Sequence, residues 1–259
     1  LTYNFTDTQK LYLSYAKAQR EPNRTDYENG SPKPEKLNDF EFGWRVKKEK
    51  IQAQANIYWM EYNDQLVLTG AIDAVGAPIR QNVGESRRMG LEVEVQWQLL
   101  DQLIWKPNFA LSSNKNLDFY FKRDGVLEPL QNTNLAYSPN FISGNALIYA
   151  PSTDFQIGLL SKYVGKQYMG NIDSDNSLLD AYFVSDISAV WTWQSNKWID
   201  RIQWSVLINN IFNKKYESNG YFYTYDDNWS NPVQIKTIEG AGYYPQAGIN
   251  FLTGISLRF

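Results

Sequence analysis

The chain of 259 residues contains no cysteine and no histidine. The lack of cysteine excludes a disulfide framework and thiol chemistry. The lack of histidine removes the side chain that most often ligates metals and that often serves as acid–base catalyst. Catalysis would have to come from paired carboxylates, so the sequence predicts neither an enzyme nor a resident metal or cofactor.

Long apolar runs are also missing. No run of about 18 apolar residues occurs, so the sequence predicts no transmembrane helix. The mean hydropathy of −0.50 does not exclude a membrane, because the strands of a membrane β-barrel alternate apolar and polar residues. The net charge of −3 gives no electrostatic reason to expect a nucleic-acid partner.

Aromatic side chains, in contrast, make up 15% of the chain. Apolar residues alternate with polar ones in many stretches, for example in residues 249–259, where Phe251, Ile255 and Leu257 share one side. A period of two is typical of a β-strand whose two faces meet different surroundings. An open apolar edge invites aggregation, so a closed barrel is favoured over an aromatic-rich soluble β-protein.

The connections between the predicted strands alternate in length. Short turns are predicted near Thr6, Lys48, Leu100, Ser152 and Asn196, and the connections between them are long and rich in polar residues, glycine and proline. An outer-membrane barrel has short periplasmic turns and long extracellular loops. The sequence therefore predicts an all-β, antiparallel transmembrane barrel, of which residues 1–259 supply about eleven strands.

The aromatic residues lie where such a barrel has its interfacial girdles. Trp59 lies near a long-loop end, and the others lie near short-turn ends. The predicted membrane-interface aromatics are Trp59, Trp97, Trp191, Trp193, Trp204 and Phe259.

Four stretches resemble, in order, motifs of the TonB-dependent outer-membrane receptors. Pro34-Glu35 followed by Glu41-Phe42-Gly43 resembles the start of a descending strand, and residues 82–92 resemble a second strand start ending in Gly-Leu-Glu. Residues 209–216, Asn-Asn-Ile-Phe-Asn-Lys-Lys-Tyr, resemble the segment on the penultimate strand, and residues 248–259 resemble the terminal strand that ends in Phe. The family usually has Arg after the glycine of this last motif, where this chain has Ile249.

The resemblance implies a 22-stranded barrel with an N-terminal plug and a TonB box. We expect the chain to be the C-terminal portion of that barrel, cut from a longer precursor that carries the plug, the TonB box and a signal peptide. The style of the sequence also resembles receptors of the Bacteroidetes group.

The candidate ligand site is the final long loop. Tyr221, Phe222, Tyr223, Tyr225 and Trp229 crowd together there, and exposed aromatics are costly unless they pack or bind something. The three tyrosines and Trp229 are the candidate ligand contacts. They suit a catecholate or other aromatic iron chelate, or sugar rings; packing against neighbouring loops is the alternative. Guanidinium groups bind anionic chelates in a fork, so four arginines join the candidate set; solvated loop positions or contacts with lipopolysaccharide are the alternative. These are Arg20, Arg24, Arg80 and Arg87.

Two groups of acidic residues could serve other chemistry. Glu92 and Glu94 lie two apart on one strand face, where lining a wet lumen is the simpler interpretation. Asp226 and Asp227 with Asp173 and Asp175 offer oxygens of the kind that calcium prefers, although no ligand loop of defined spacing surrounds them.

The resemblance thus predicts an outer-membrane receptor for active transport, with a ferric siderophore as the favoured ligand. The expected partners are the TonB complex, an iron chelate, and outer-membrane lipid with lipopolysaccharide. The alternatives are cobalamin, haem, an oligosaccharide taken up with a surface lipoprotein, or a barrel subunit of a larger complex that does not transport.

Overall fold

The computed structural model describes residues 1–73, 75–194, 198–231 and 233–259. Its strands are β1 Thr2–Thr6, β2 Gln9–Arg20, β3 Glu35–Lys47, β4 Ile51–Asn63, β5 Leu66–Ile72, β6 Pro78–Asn82, β7 Glu85–Leu100, β8 Leu103–Asn116, β9 Phe119–Arg123, β10 Val126–Leu130, β11 Thr133–Asn134, β12 Phe141–Tyr149, β13 Phe155–Val164, β14 Gln167–Tyr168, β15 Leu178–Leu179, β16 Tyr182–Gln194, β17 Arg201–Asn209, β18 Glu217–Asp227, β19 Lys236–Pro245 and β20 Asn250–Arg258. A short helix, α1, spans Arg24–Glu28, and one 3₁₀ turn spans Asp175–Ser177. No helix within these ranges is long and apolar enough to cross a bilayer.

One antiparallel sheet runs through the whole chain. Its strand order is β1-β2-β3-β4-β7-β8-β12-β13-β16-β17-β20, with β11 paired to the end of β8. This confirms the predicted antiparallel fold and its number of strands. The remaining strands form four small hairpins, all within the long connections. The predicted turn at Asn196 lies outside the described residues, but Gln194 and Arg201 on either side of it are register partners.

The register places apolar and polar residues on opposite faces of the sheet. Leu13, Phe42, Ile57, Leu91 and Leu111 are successive cross-strand partners, and we call their side the apolar face. One row of the opposite side, the polar face, consists of Lys10, Arg45, Gln54, Glu94 and Asn108. Because side chains alternate along each strand, the period of two seen in the sequence is the direct cause of this separation.

The apolar face has no protein partner in the described residues. Leu13, Ile57 and Leu111 are 53–55% exposed, far more than a water-excluding core allows. The face is bounded by Trp97 at the short-turn end and by Trp59 at the other. Ile51, which pairs with Trp97, and Trp59 are eight residues apart on β4, which is about 27 Å along a strand. With a tilt of about 40° this spans roughly 20 Å, close to the apolar band of a membrane barrel.

Polar side chains on the apolar face bond to one another. The indole N–H of Trp105 donates to Asn145 Oδ1 at 2.6 Å, and that of Trp204 donates to Thr253 Oγ1 at 2.7 Å. The hydroxyls of Ser161 and Ser185 lie 2.9 Å apart. In a lipid environment no water could replace these partners, so each polar group would lack a hydrogen bond if its partner were removed.

The Trp105–Asn145 bond gives a first testable prediction. We expect Trp105→Phe to lower the free energy of unfolding by about 1–2 kcal/mol, because it leaves the half-buried Asn145 amide oxygen without its donor. Urea denaturation of the receptor in bilayers measures this change. Trp97→Phe is the matched control, since Trp97 is the register partner of Trp105 and its indole makes no hydrogen bond within the described ranges. Equal losses in the two variants would contradict the assignment.

Candidate functional site

The buried apolar core of the chain lies in the long connections rather than in the sheet. Its members come from three different connections, and Leu130 and Phe222 pack against them. The core consists of Val67, Val83, Phe119, Phe121, Leu135 and Ile172. The long loops are therefore a packed layer that covers one end of the sheet, and we call it the loop layer.

Hydrogen bonds and ion pairs tie the loop layer together across long distances in sequence. Asn171 Nδ2 donates to the carbonyl of Leu68, and Tyr137 donates its hydroxyl hydrogen to the carbonyl of Gly220. Glu239 on β19 joins three connections, because its carboxylate accepts from Arg123 Nη1 at 3.2 Å, from Asn176 Nδ2 at 3.1 Å and from the Ser174 hydroxyl. The hairpin β18–β19 is thereby attached to the two connections before it.

The ionisation of Glu239 reflects these contacts. Burial by itself would raise the pKa of the carboxyl group, but the donors from Ser174, Asn176 and Arg123 and the charge of Arg123 outweigh it and lower the pKa below its ordinary value. The carboxylate is therefore the form that holds the loop layer together.

One face of β18, which includes Phe222, packs against the loop core. The opposite face carries a row of stacked aromatic rings, which we call the aromatic row. The rings of Tyr221 and Tyr223 are 6.3 Å apart with 19° between their planes, and those of Tyr223 and Tyr225 are 6.4 Å apart with 12° between them. Trp229 continues the row at 5.6 Å from Tyr225 and 7°. Tyr221 is 50% exposed and Trp229 65% exposed, whereas Phe222 between them in sequence packs into the loop core.

Two glycines that sequence reasoning missed set the orientation of these rings. Gly242 and Gly240 on β19 are the register partners of Tyr221 and Tyr223. A Cβ atom at either glycine would overlap the ring of its partner, so each tyrosine ring lies across the neighbouring strand at a position where glycine leaves room for it. Register is what reveals this arrangement, since single residues give no local sign of it.

Trp229 is held in the row by a local turn. The backbone N–H groups of Ser230 and Trp229 donate to Asp227 Oδ1 at 3.0 and 3.3 Å. The bond from Ser230 is the main reason why the pKa of the Asp227 carboxyl is lowered. A negative side chain thus anchors the end of the aromatic row.

Two of the four candidate arginines meet at one cavity. Arg20 and Arg80 line a space of about 460 Å³, together with Arg88 and Tyr62. Arg20 is paired with Glu35. Arg80 lies 3.7 Å from Asp26, while Arg88 forms no ion pair within the described ranges. The cavity therefore has a cationic side chain with its charge uncompensated, which suits an anionic oxygen.

Strand β5 connects the cavity with the hairpin of the aromatic row. Leu66 lines the cavity. Gly70 lies four residues further on, about 13 Å along an extended strand, and a Cβ there would contact Thr224 on the packed face of β18. The cavity and the row therefore belong to one connected unit.

The other two arginines lie apart from the cavity. Arg24 pairs with Glu28 at 2.9 Å within α1 and is exposed. Arg87 shares its side of β7 with Leu91, and its guanidinium carbon lies 4.7 Å from the centre of the Trp59 ring. Arg87 and Arg88 are neighbours on one strand and therefore lie on opposite faces of the sheet. The alternation of side chains along a strand could have predicted this from the sequence.

Acidic residues that could have served in catalysis or calcium binding instead form hydrogen bonds and an ion pair with neighbouring side chains. Glu94 accepts from Gln54 at 2.9 Å on the polar face, and Asp226 lies 3.5 Å from Lys122. Asp173 accepts from the side chain and backbone of Asn134. Across the described ranges, no three acidic side chains converge as metal ligands do.

A sheet with an exposed apolar face, a polar face, short turns at one end and a packed loop layer at the other defines a class, the antiparallel transmembrane β-barrel. The family model "TonB dependent receptor-like, beta-barrel" matches residues 1–213. The chain belongs to this family, and it lies in the bacterial outer membrane with its apolar face toward lipid and its polar face toward the lumen. The resemblance predicted from four motifs is confirmed, whereas the likeness to Bacteroidetes receptors stays a prediction.

Known relatives agree with this assignment. The pesticin receptor of Yersinia enterocolitica is 24% identical over 190 residues, which cover 72% of this chain and 26% of that protein. The structure of the copper transporter OprC matches with a TM-score of 0.73 at 20% identity, covering 100% of this chain and 38% of the other. The structure of the ferric yersiniabactin uptake receptor FyuA of Yersinia pestis matches with a TM-score of 0.62 at 18% identity, covering 100% of this chain and 36% of the other. The chain thus spans between about a quarter and two fifths of the length of these relatives.

Proposed function

We propose that the receptor containing this chain takes up a ferric siderophore across the outer membrane, with energy supplied by the TonB complex. The observation that carries the proposal is the aromatic row, a set of outward-facing rings on a hairpin that the loop layer holds in place. Parallel rings that are exposed at Tyr221, Tyr225 and Trp229 suit the stacking of planar aromatic groups. Iron chelates of the catecholate type carry such groups together with anionic oxygens.

The arginine-lined cavity supports the same ligand class. A ligand that stacks on the aromatic row presents negative oxygens, and Arg88 offers a fork of donors. Glu35 also lines the cavity but is paired with Arg20. Two of the relatives, by their names, carry a ferric chelate and copper, which is consistent with a metal complex as cargo. Release into the lumen then requires movement of a plug, which we assign to a part of the receptor beyond residues 1–259.

Growth on chelated iron tests this proposal. A strain lacking the receptor and every other siderophore receptor is supplied with one iron chelate at a time, with and without the intact gene. We expect the gene to restore growth on at least one catecholate-type chelate and to require TonB for it. If the gene restored growth on none of the iron chelates, or restored growth in the absence of TonB, the proposal would be contradicted.

An oligosaccharide is the second candidate, because flat aromatic faces also bind sugar rings. In that case a surface lipoprotein would be the partner that delivers the ligand. Growth on glycans as the only carbon source distinguishes the two candidates. Growth there should require the gene only if the receptor takes up an oligosaccharide.

A further inference from the structure

A cavity of about 660 Å³ lies on the polar face, at the short-turn end of strands β2, β3, β4, β7 and β8. Register and side-chain alternation place its four cationic residues on that face. Short turns of an outer-membrane barrel face the periplasm, so the cavity lies where the lumen ends, and we call it the exit cavity. Its cations are Lys10, Arg45, Lys47 and Lys106.

The cations of the exit cavity outnumber its carboxylates. Asp7 and Glu94 are the acidic residues of its lining, and the amide of Gln54 donates to the Glu94 carboxylate at 2.9 Å. None of the four cations forms an ion pair within the described ranges. A cleft lined by an excess of one charge attracts ligands of the opposite charge, so the exit cavity suits an anion.

The sheet holds Arg45 in position through an aromatic ring. The Tyr12 ring lies over Gly43, where a Cβ atom would overlap it, and the Tyr12 hydroxyl donates to Asn56 Oδ1 at 2.9 Å. The guanidinium carbon of Arg45 lies 4.9 Å from the centre of that ring, within the range of a cation–π contact. No side-chain hydrogen bond of Arg45 occurs within the described ranges, so its fork of donors is available to an anionic oxygen.

An acidic band separates the exit cavity from the arginine-lined cavity at the loop layer. Glu41 and Asp39 lie four and six residues before Arg45 on β3. Glu92 lies four residues after Arg88 on β7, and all of these side chains are on the polar face. Four residues are about 13 Å along a strand, so the carboxylates lie between two cationic regions of one wall. Because the band repels an anion, the two cavities are separate sites.

We propose that the exit cavity binds the anionic iron chelate in the last stage of its passage, between the lumen and the periplasm. This assignment rests on the proposed function, which supplies an anionic cargo that leaves at the short-turn end. The volume of the cavity lies within the range of small-molecule sites, about 300–1,000 Å³. An acidic protein segment would use the same cations, but a bounded space of this size fits a compact chelate better than an extended chain.

Uptake of radiolabelled iron by cells that carry the whole receptor tests the exit cavity. The probe is a ferric tris-catecholate chelate, and the variant is Arg45→Gln/Lys106→Gln. We expect energy-depleted cells to bind the probe at their surface with the wild-type Kd, because both residues lie at the opposite end of the sheet from the loop layer. In energised cells the uptake rate should fall about tenfold, since a charged cleft raises capture rates by about that factor or more.

Two controls separate the effect of charge from other causes. Arg45→Lys/Lys106→Arg keeps both charges and should retain the wild-type uptake rate. Lys48→Gln/Lys50→Gln removes two cations from the turn between β3 and β4, outside the cavity lining, and should also leave uptake unchanged. If the double variant does not fold, Lys47→Gln, at an exposed position, takes its place, with uptake expected to be about threefold slower.

Three results would overturn the proposal. Unchanged uptake by Arg45→Gln/Lys106→Gln, or by Lys47→Gln in its place, would show that these cations take no part in transport. Entry of large antibiotics through the variant would show that the cations hold an acidic segment of the plug instead. A weaker surface Kd with a proportional loss of uptake would place the effect in the loop layer. If the wild type itself neither binds nor takes up a tris-catecholate chelate, the proposed function fails, and the exit cavity loses its cargo with it.

Discussion

Replacing Tyr221, Tyr223 and Tyr225 together by alanine is expected to weaken binding of the iron chelate by about a hundredfold. Each ring in a stacked arrangement contributes about 0.5–1.5 kcal/mol beyond the area it buries, and three such losses reach that factor. The measurement is quenching of receptor fluorescence by the ferric chelate in detergent. The fold should persist, because the packed face of β18, with Phe222 and Thr224, is left unchanged.

Two matched variants separate ring stacking from other causes. The triple replacement of the same tyrosines by phenylalanine keeps the rings and should retain most of the affinity. Gly240→Ala with Gly242→Ala keeps every aromatic residue but pushes two rings out of position, so it should lose affinity as the alanine variant does. Wild-type affinity in the alanine variant would remove the aromatic row from the binding site.

Glu239→Ala is expected to release the hairpin β18–β19 from the loop layer. Its carboxylate is 13% exposed and is paired with Arg123, and loss of one partner from a buried, hydrogen-bonded pair costs about 3–5 kcal/mol. Partial exposure of Arg123 places the expected loss of loop stability near the lower end of that range. Amide hydrogen exchange across residues 217–245 measures it, since faster exchange there with an unchanged sheet is the signature of a detached hairpin.

The pH dependence of the same exchange provides an independent check. The pKa of Glu239 is lower in the folded protein than in an unfolded chain. Its contribution to loop stability is therefore fully present above the unfolded pKa, and it is lost as the pH falls through the folded pKa. Protection of the hairpin should decline under acid conditions in the wild type. Glu239→Gln should abolish that part of the decline; a pH profile identical in both proteins would assign the decline to other groups.

Much of the sheet could be predicted from the sequence because its period is local. Residues 249–259 alternate strictly, and β20 spans Asn250–Arg258. The same reasoning identified the alternation of short and long connections. A strand face that meets lipid requires every second residue of the strand to be apolar. The strand can therefore be predicted from its own residues, without knowledge of distant contacts.

The loop layer could not be predicted in this way. Phe222 packs against the core that contains Val67 and Phe119, which precede it by more than half and by about two fifths of the chain length. Nothing in the sequence near Phe222 shows that it, rather than Tyr221 or Tyr223, enters a core. The four candidate arginines were grouped by charge alone, whereas the register separates Arg87 from Arg20 and Arg80. Whether the selected residues bind ligand remains a prediction that the experiments above decide.

The position of the buried core reverses the usual pattern of mutational tolerance. On the strands, a side chain such as Ile57 or Leu111 touches fluid acyl chains, so another apolar residue of different shape should fit equally well there. In the loop layer, Val67 and Phe121 obey the close packing of a protein interior, where one added or missing methylene is felt. Screens for altered ligand preference should therefore vary the outward residues of β18 and spare the inward ones, even though both belong to a surface loop.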